Sequence, residues 1–424
     1  MGKIGILSGF VWAALLGAGT VCSAATLNGF VESAAGARWQ GVDTRRDDLV
    51  LLESRLQLKA IHYVDGENFW AHRQTVLNFK GDFFVDGYFA GKTGFALREA
   101  NAAFSPVPFA DIKAGRQVLT WGTGDLLFVN DLFPKDYISF FSGRDDEYLK
   151  LPSDAIKTSF FQEWFNTDVV LMRPRANLTP EGDRLSFYDS FTRQISGRAV
   201  DRHLVEPPDQ LSNLEYALRT YRTLGSNEAA LYFFRGFDRN PSSYKDELNR
   251  QLYYRRLDAY GASVRGPFLA GIANLEAGWH LSREDDRGDN RLVENSAFKA
   301  MAGYDRDWGN DFRSGVQYLY EQRLDYTAYS AALRPGDLCF DERRHLLTQR
   351  LTKQFRRQTV TVALFNFWSP SDKDGYLRPS VSWQATDRWS LVTGLNIPWG
   401  DDDYTEFGQM KNNRSAYFRS RYSF

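Results

Sequence analysis

From Leu27 onward the chain alternates apolar and polar side chains in segments of about ten residues, cut by turn residues, which is the period-two mark of β-strands. In 49–64, Leu52, Leu56, Leu58 and Ala60 share one parity, and Glu53, Arg55, Gln57 and Lys59 share the other. In 75–90, Leu77, Phe79, Phe83, Val85 and Phe89 alternate with Asn78, Lys80, Asp82 and Asp86. In 272–283, Ala273, Leu275, Ala277, Trp279 and Leu281 oppose Asn274, Glu276, Gly278, His280 and Ser282. The same pattern predicts strands at 27–39, 95–104, 109–120, 156–165, 168–173, 214–224, 228–237, 251–265, 296–308, 311–322, 345–355, 359–368, 376–385, 389–398 and 414–424. The total is about eighteen, an even number as single-chain bacterial barrels require. The segments holding Arg98 and Arg116 alternate poorly, so sixteen or fourteen strands are the alternative counts.

The connections carry a second pattern. Short ones at Asp65-Gly66, 105–108, Asn166-Thr167, 225–227, 266–271, Gly309-Asn310, 356–358 and 386–388 alternate with links that are mostly long and charged; 91–94 is the exception. Alternation alone would also suit a soluble sandwich with one wet face. Short turns on one side and long loops on the other instead predict an all-β protein, a transmembrane antiparallel up-and-down β-barrel occupying 26–424 as a single domain. Two of its loops, 121–155 and 174–213, are long enough to fold into structures of their own.

Composition narrows the class. The net charge of −1 argues against a partner held by phosphate attraction, so no nucleic acid is expected. Mean hydropathy is −0.45, and beyond the first 25 residues no apolar run reaches the ~20 residues a membrane helix needs. A barrel remains open, because only alternate residues meet lipid, and the 32 Phe, 21 Tyr and 11 Trp suit its interfacial girdles. Residues 1–25 have the form of a secretory signal. Lys3 supplies the positive start, 4–21 is apolar, and Cys22-Ser23-Ala24-Ala25 ends on small residues, with cleavage expected after Ala24 or Ala25. Val21 before Cys22 departs from the small residue that lipoprotein processing takes. Cys339 is then the only mature cysteine, so no internal disulfide is expected.

The final segment sharpens the reading. Phe418, Tyr422 and Phe424 share one parity, while Tyr417, Arg419 and Arg421 take the other. A last strand of this kind pairs with the first and leaves no edge. It resembles the C-terminal signature of Gram-negative outer-membrane proteins, apart from Ser420 on the aromatic parity. The resemblance implies that Phe418, Tyr422 and Phe424 form an assembly signal read by the barrel-assembly machinery. It also implies an outer-membrane location, with membrane lipid and lipopolysaccharide as surroundings. A second, shorter likeness runs through Leu97-Arg98-Glu99-Ala100, Gly115-Arg116-Gln117 and Trp121-Gly122-x-Gly124-Asp125. It resembles porin-like barrel families, the alginate-export type among them, and implies the class without a substrate.

The chain has no Gly-x-Ser-x-Gly, no His-Glu-x-x-His and no phosphate-binding glycine loop, and its histidines do not fall at ligand spacing. No catalytic residue, metal or cofactor is therefore expected, and His280, on the lumen parity with Glu276, reads as a wetted wall histidine. The functional expectation rests on 121–155, the third long-side connection. Folded inward, it would present Asp125, Asp131, Lys135, Asp136, Arg144, Asp145, Asp146 and Glu147 to the wall and narrow the pore, as rings of charge do in channels. The lumen-wall candidates are Glu53, Arg55, Lys59, Lys80, Asp82, Arg256, Asp258, Glu276, Lys299, Arg313 and Arg350, with Asp86, Asp305 and Glu321 on the same parity. The expected function is a porin-like channel for passive diffusion of small polar or charged solutes. The alternatives are a sleeve around a periplasmic redox protein or an exported polymer, and an outer-membrane hydrolase. Trimer and monomer stay open.

Overall fold

The protein is described here by a computed structural model covering residues 26–39, 49–64, 74–87, 93–182 and 184–424. The expected signal at 1–25 and the turn at Asp65-Gly66 lie outside the described residues.

Eighteen strands form one closed antiparallel sheet. They are β1 (Thr26–Arg38), β2 (Leu49–Val64), β3 (Thr75–Asp86), β4 (Gly94–Val107), β5 (Ala110–Val118), β6 (Pro152–Phe161), β7 (Asn166–Met172), β8 (Glu215–Leu224), β9 (Asn227–Phe237), β10 (Arg256–Phe268), β11 (Gly271–Ser282), β12 (Ala297–Asp307), β13 (Phe312–Arg323), β14 (Arg343–Phe355), β15 (Val360–Ser369), β16 (Asp374–Gln384), β17 (Trp389–Gly400) and β18 (Ser415–Ser423). Each pairs with the next, and β18 returns to β1 from Phe30↔Ser423 to Arg38↔Ser415. Gly29 and Phe424 add two reciprocal backbone hydrogen bonds of 3.0 Å each. The barrel sheet has no edge left to template aggregation.

The alternation that predicted the strands also sorts their faces. Val31, Leu52, Phe83, Leu275 and Phe418 stand on the outside, and Glu32, Glu53, Asp82, Glu276 and Arg419 on the inside. Phe424 and Phe418 are outward, and Tyr422 packs beside Trp389 with ring centroids 5.3 Å apart. Turns at 108–109, 162–165, 225–226, 269–270, 308–311, 356–359 and 385–388 gather at one rim. Loops 119–151, 173–214, 238–255, 283–296, 324–342 and 401–414 gather at the other, where 370–373 is a further short link.

Two elements differ from expectation for identifiable reasons. The β6–β7 turn is 162–165 rather than Asn166-Thr167, because Asn166 and Thr167 pair with Phe161 and Phe160. That register brings Lys157 within 3.0 Å of Asp168 on the inner face. The segment expected as one strand at 251–265 is divided. Gln251–Tyr253 belongs to a small loop sheet with His203–Val205 and Ser243–Asp246, and β10 starts only at Arg256.

Part of the interior is packed. Leu127, Val129, Phe140 and Phe141 of loop 119–151 meet Leu51, Met301, Leu346 and Tyr376 of the wall in one buried cluster. Leu119 and Phe133 meet Val170, Met172, Phe234 and Ala259 in a second. Loop 173–214 also turns in: Leu185 joins the first cluster, Arg184 pairs with Asp86, and Ser186 N–H donates to Asn413 at 2.8 Å. This filling corrects the expectation for Arg256 and Asp258. Under loop 119–151 the inner face of β10 is dry, so Leu257 and Ala259 face inward and are 3% and 4% exposed. Arg256 and Asp258 therefore take the outer parity, where Asp258 pairs with Arg235.

Candidate functional site

Loop 119–151 crosses the barrel and is fastened to the opposite wall by donors and acceptors, neutral and charged. Glu276 of β11 is the main fastening. Its Oε2 accepts from Thr123 N–H at 2.6 Å and Thr123 Oγ1 at 2.9 Å, and its Oε1 accepts from Asn130 N–H at 2.8 Å. Gly122 permits this approach. Its φ is +82°, and a Cβ there would lie 2.9 Å from a Glu276 oxygen. Asn274 donates to Thr123 O at 3.0 Å, and Gln317 accepts from Asp125 N–H at 3.1 Å. His280 Nε2 lies 2.8 Å from Val129 O; a carbonyl only accepts, so that nitrogen carries the proton. The wetted histidine expected from parity is thus a buried one, because the loop covers it.

Beyond this strap the chain turns through the short helix Tyr137–Ser142. Asp136 caps it, accepting from Ser139 N–H at 2.8 Å and Ser139 Oγ at 2.6 Å. Gly143 ends it with φ +87° against the Tyr417 ring, where a Cβ would come within 2.6 Å. The helix and its glycine stop deliver the charged run that follows to the wall of β16–β18 and β1–β3. Arg144 reaches Glu53 at 2.7 Å. Asp145 lies 2.9 Å from Arg419 and 3.2 Å from Arg421. Asp146 meets Arg378 at 2.8 Å, and Glu147 meets Lys80 at 2.9 Å. Tyr148 inserts between Arg55 and Arg98, whose guanidinium carbons are 4.4 and 5.0 Å from its ring centroid. On the far side Asp125 pairs with Arg350 at 3.0 Å.

These contacts tune the loop carboxylates in opposite directions. Burial pushes Asp145 up, but Arg419 and Arg421 outweigh it and hold the carboxyl below the usual aspartate range. Burial raises Asp125, and Arg350 only partly opposes the shift.

Solved structures share this architecture at low sequence identity. Pseudomonas aeruginosa OccK11 (OpdR) aligns with a TM-score of 0.54 and 10% identity over 94% of this chain and 96% of its own. Pseudomonas aeruginosa OccD3 (OpdP) aligns with a TM-score of 0.54 and 10% identity over 95% of this chain and 91% of its own. What this chain shares with them is the fold, a closed antiparallel β-barrel. No family model matches the chain, and no curated protein matches it in sequence.

On this barrel the candidates sort into groups. Asp125, Arg144, Asp145, Asp146 and Glu147 contact wall residues. Asp131, Lys135 and Asp136 do not. Asp131 and Lys135 pair with each other at 2.9 Å inside the loop, and Asp136 is the helix cap. Of the wall, Arg55 links Glu53 and Asp82 at 2.6 and 2.7 Å, and Lys80 and Arg350 hold loop carboxylates. Lys299 sits apart, bound at 2.6 Å to Glu321, which Arg344 joins to Asp372 and Glu406. Lys59 faces in but stays exposed, and Arg313 pairs with Asp307 at the short-turn rim. Arg98, Arg116 and Arg378 had no assigned role. Arg98 lies inside, donating to Glu147 O at 2.9 Å, and Arg116 lies outside on Asp154. Arg378 shares its parity with Ser380 and Ser382, opposite Leu377, Val381 and Trp383, and that was the available signal for its inward face.

Proposed function

We propose that the protein is an outer-membrane channel for passive diffusion of small polar or charged solutes, with loop 119–151 setting its size and charge limits. The reading rests on one observation: the loop's charged run pairs with cations of β16, β18 and β3 on one side, while Asp125 pairs with β14 on the other. A loop that spans the lumen on exchangeable ion pairs leaves solute to pass along charged wall and loop margins, where like and opposite charges are screened or selected. The sleeve alternative is disfavoured because the chain's own side chains fill the space a protein partner would need. Single-channel recording in planar bilayers tests the proposal. Folded protein should give discrete, ohmic steps, and a silent preparation that shows normal heat-modifiable migration would overturn it.

Orientation follows from the loop asymmetry, with short turns toward the periplasm and long loops outside the cell. Phe424 would then close the barrel at the periplasmic side, where the assembly machinery reads it. Cys339 in loop 324–342 is free and exposed, which supplies a direct check. A membrane-impermeant maleimide should label intact cells, and Cys339→Ser should abolish the signal. Labelling that requires cell lysis would invert the assignment.

A further inference from the structure

At the long-loop end, outward charge of the described strands is concentrated on β5–β11, with Arg343 of β14 standing apart. On β15–β18 and β1–β4, the charged strand residues among those described all take the lumen parity. At the long-loop ends of β5–β11 they do not. Arg116 of β5 grips Asp154 of β6 through Nε and Nη2, each 2.7 Å from an oxygen. Arg173, next along the same row, donates its N–H to Asp154 O at 3.1 Å and its Nε to Asp209 at 2.6 Å. Arg235 of β9 grips Asp258 of β10 at 2.9 and 2.7 Å. Arg283, just past β11, reaches the same carboxylate at 3.7 Å, and its N–H donates to Arg256 O at 3.0 Å. Tyr216 and Tyr260 flank the group and are 51% and 46% exposed. On the uncharged sector the corresponding height carries Trp39, Phe83 and Trp368.

A charged side chain on the lipid face of a barrel is costly at the bilayer midplane and nearly free of cost near the interface. A row of arginines here is therefore tolerable only at headgroup level. Arg116, Arg173, Arg235, Arg256 and Arg283 outnumber Asp154, Asp209, Asp258 and Glu284 by one, leaving guanidinium capacity for an outside anion. Guanidinium forks match phosphate oxygens bidentately, and the adjacent tyrosines suit the boundary between headgroup and acyl chain. We propose that the β5–β11 rim is a binding site for the phosphorylated headgroup of an outer-leaflet glycolipid, the lipopolysaccharide anchor. The site is separate from solute passage, since its side chains point away from the lumen. It takes from the channel reading only the orientation, which Cys339 labelling tests independently.

Native mass spectrometry of folded protein in mild detergent, titrated with diphosphoryl lipid A, tests the site. Wild type should retain lipid A, and the Arg235→Gln, Arg256→Gln, Arg283→Gln variant should retain it about fivefold less or worse, as expected on losing charge-assisted phosphate contacts. Arg343→Gln, at the same rim on β14, should bind as wild type does. Should the triple variant fail to fold by heat-modifiable migration, Arg116→Gln with Arg173→Gln replaces it. Equal retention by the folded variants would overturn the proposal. So would equal retention of dephosphorylated lipid A, or of phosphatidylglycerol in place of the glycolipid.

Discussion

Replacing Glu276 with alanine is expected to raise single-channel conductance severalfold, make the open state noisy, and expose loop 119–151 to protease. Its carboxylate accepts from Thr123 N–H, Thr123 Oγ1 and Asn130 N–H. Hydrogen bonds to a charged group contribute about 1.5–3 kcal/mol each, and all are lost together. The remaining fastenings, Asn274 to Thr123 O, Gln317 to Asp125 N–H, His280 to Val129 O and the Asp125–Arg350 pair, are spread over the strap. Glu276→Gln should fall between, since the amide keeps one acceptor but turns a donor toward backbone N–H groups. Neutralising a free wall charge would alter ion preference and leave noise unchanged, so the noise identifies a fastening. Conductance and protease pattern both equal to wild type would show that the loop holds its place without Glu276.

Neutralising the charged run, as Asp145→Asn, Asp146→Asn and Glu147→Gln together, is expected to turn the channel toward anions. Arg419, Arg378 and Lys80 would lose these carboxylates, while Arg421 would keep Glu32 at 2.9 Å. Excess charge of one sign at a constriction sets ion preference, so the anion-to-cation permeability ratio should rise about threefold or more. The reversal potential under a salt gradient measures it, and an unchanged or cation-shifted value would contradict the placement of the run at the pore. Acidification should act elsewhere first. Asp145 has a lowered folded pKa, so its ionised contribution is present above the unfolded value near ~3.9 and is lost only as pH falls through the lower folded value. Asp125 is raised, so it protonates earlier on the way down and gives up Arg350 while the folded form gains relative stability. A conductance change on mild acidification should therefore disappear in Asp125→Asn and persist in Asp145→Asn.

The strands were legible where both faces had a clear solvent. Leu52, Leu56 and Leu58 against Glu53, Arg55 and Gln57 could be sorted from alternation because lipid accepts only one set. The closing strand was legible for the same reason, and its pairing with β1 follows. Arg256 and Asp258 were misplaced because the rule that charge faces the lumen presumes a wet lumen. In β10 the apolar side chains Leu257 and Ala259 are wanted inside, against residues that arrive from loop 119–151 and neighbouring strands. Within that loop, Asp136 followed by Ser139 and Gly143 was a readable helix start and stop. Its neighbours Asp131 and Lys135 gave no comparable sign of pairing inside the loop.

Alternation, the even strand number and the loop asymmetry were determined by local chemistry, since each strand must satisfy lipid on one side wherever it sits in the barrel. Which carboxylate fastens the loop, which arginines receive its charged run and which charges end up outside depend on contacts between residues as far apart as Thr123 and Glu276, or Asp145 and Arg421. Those choices exist only after the sheet closes, because closure is what brings β18 beside β1 and turns the space between distant strands into an interior that a loop can dry out.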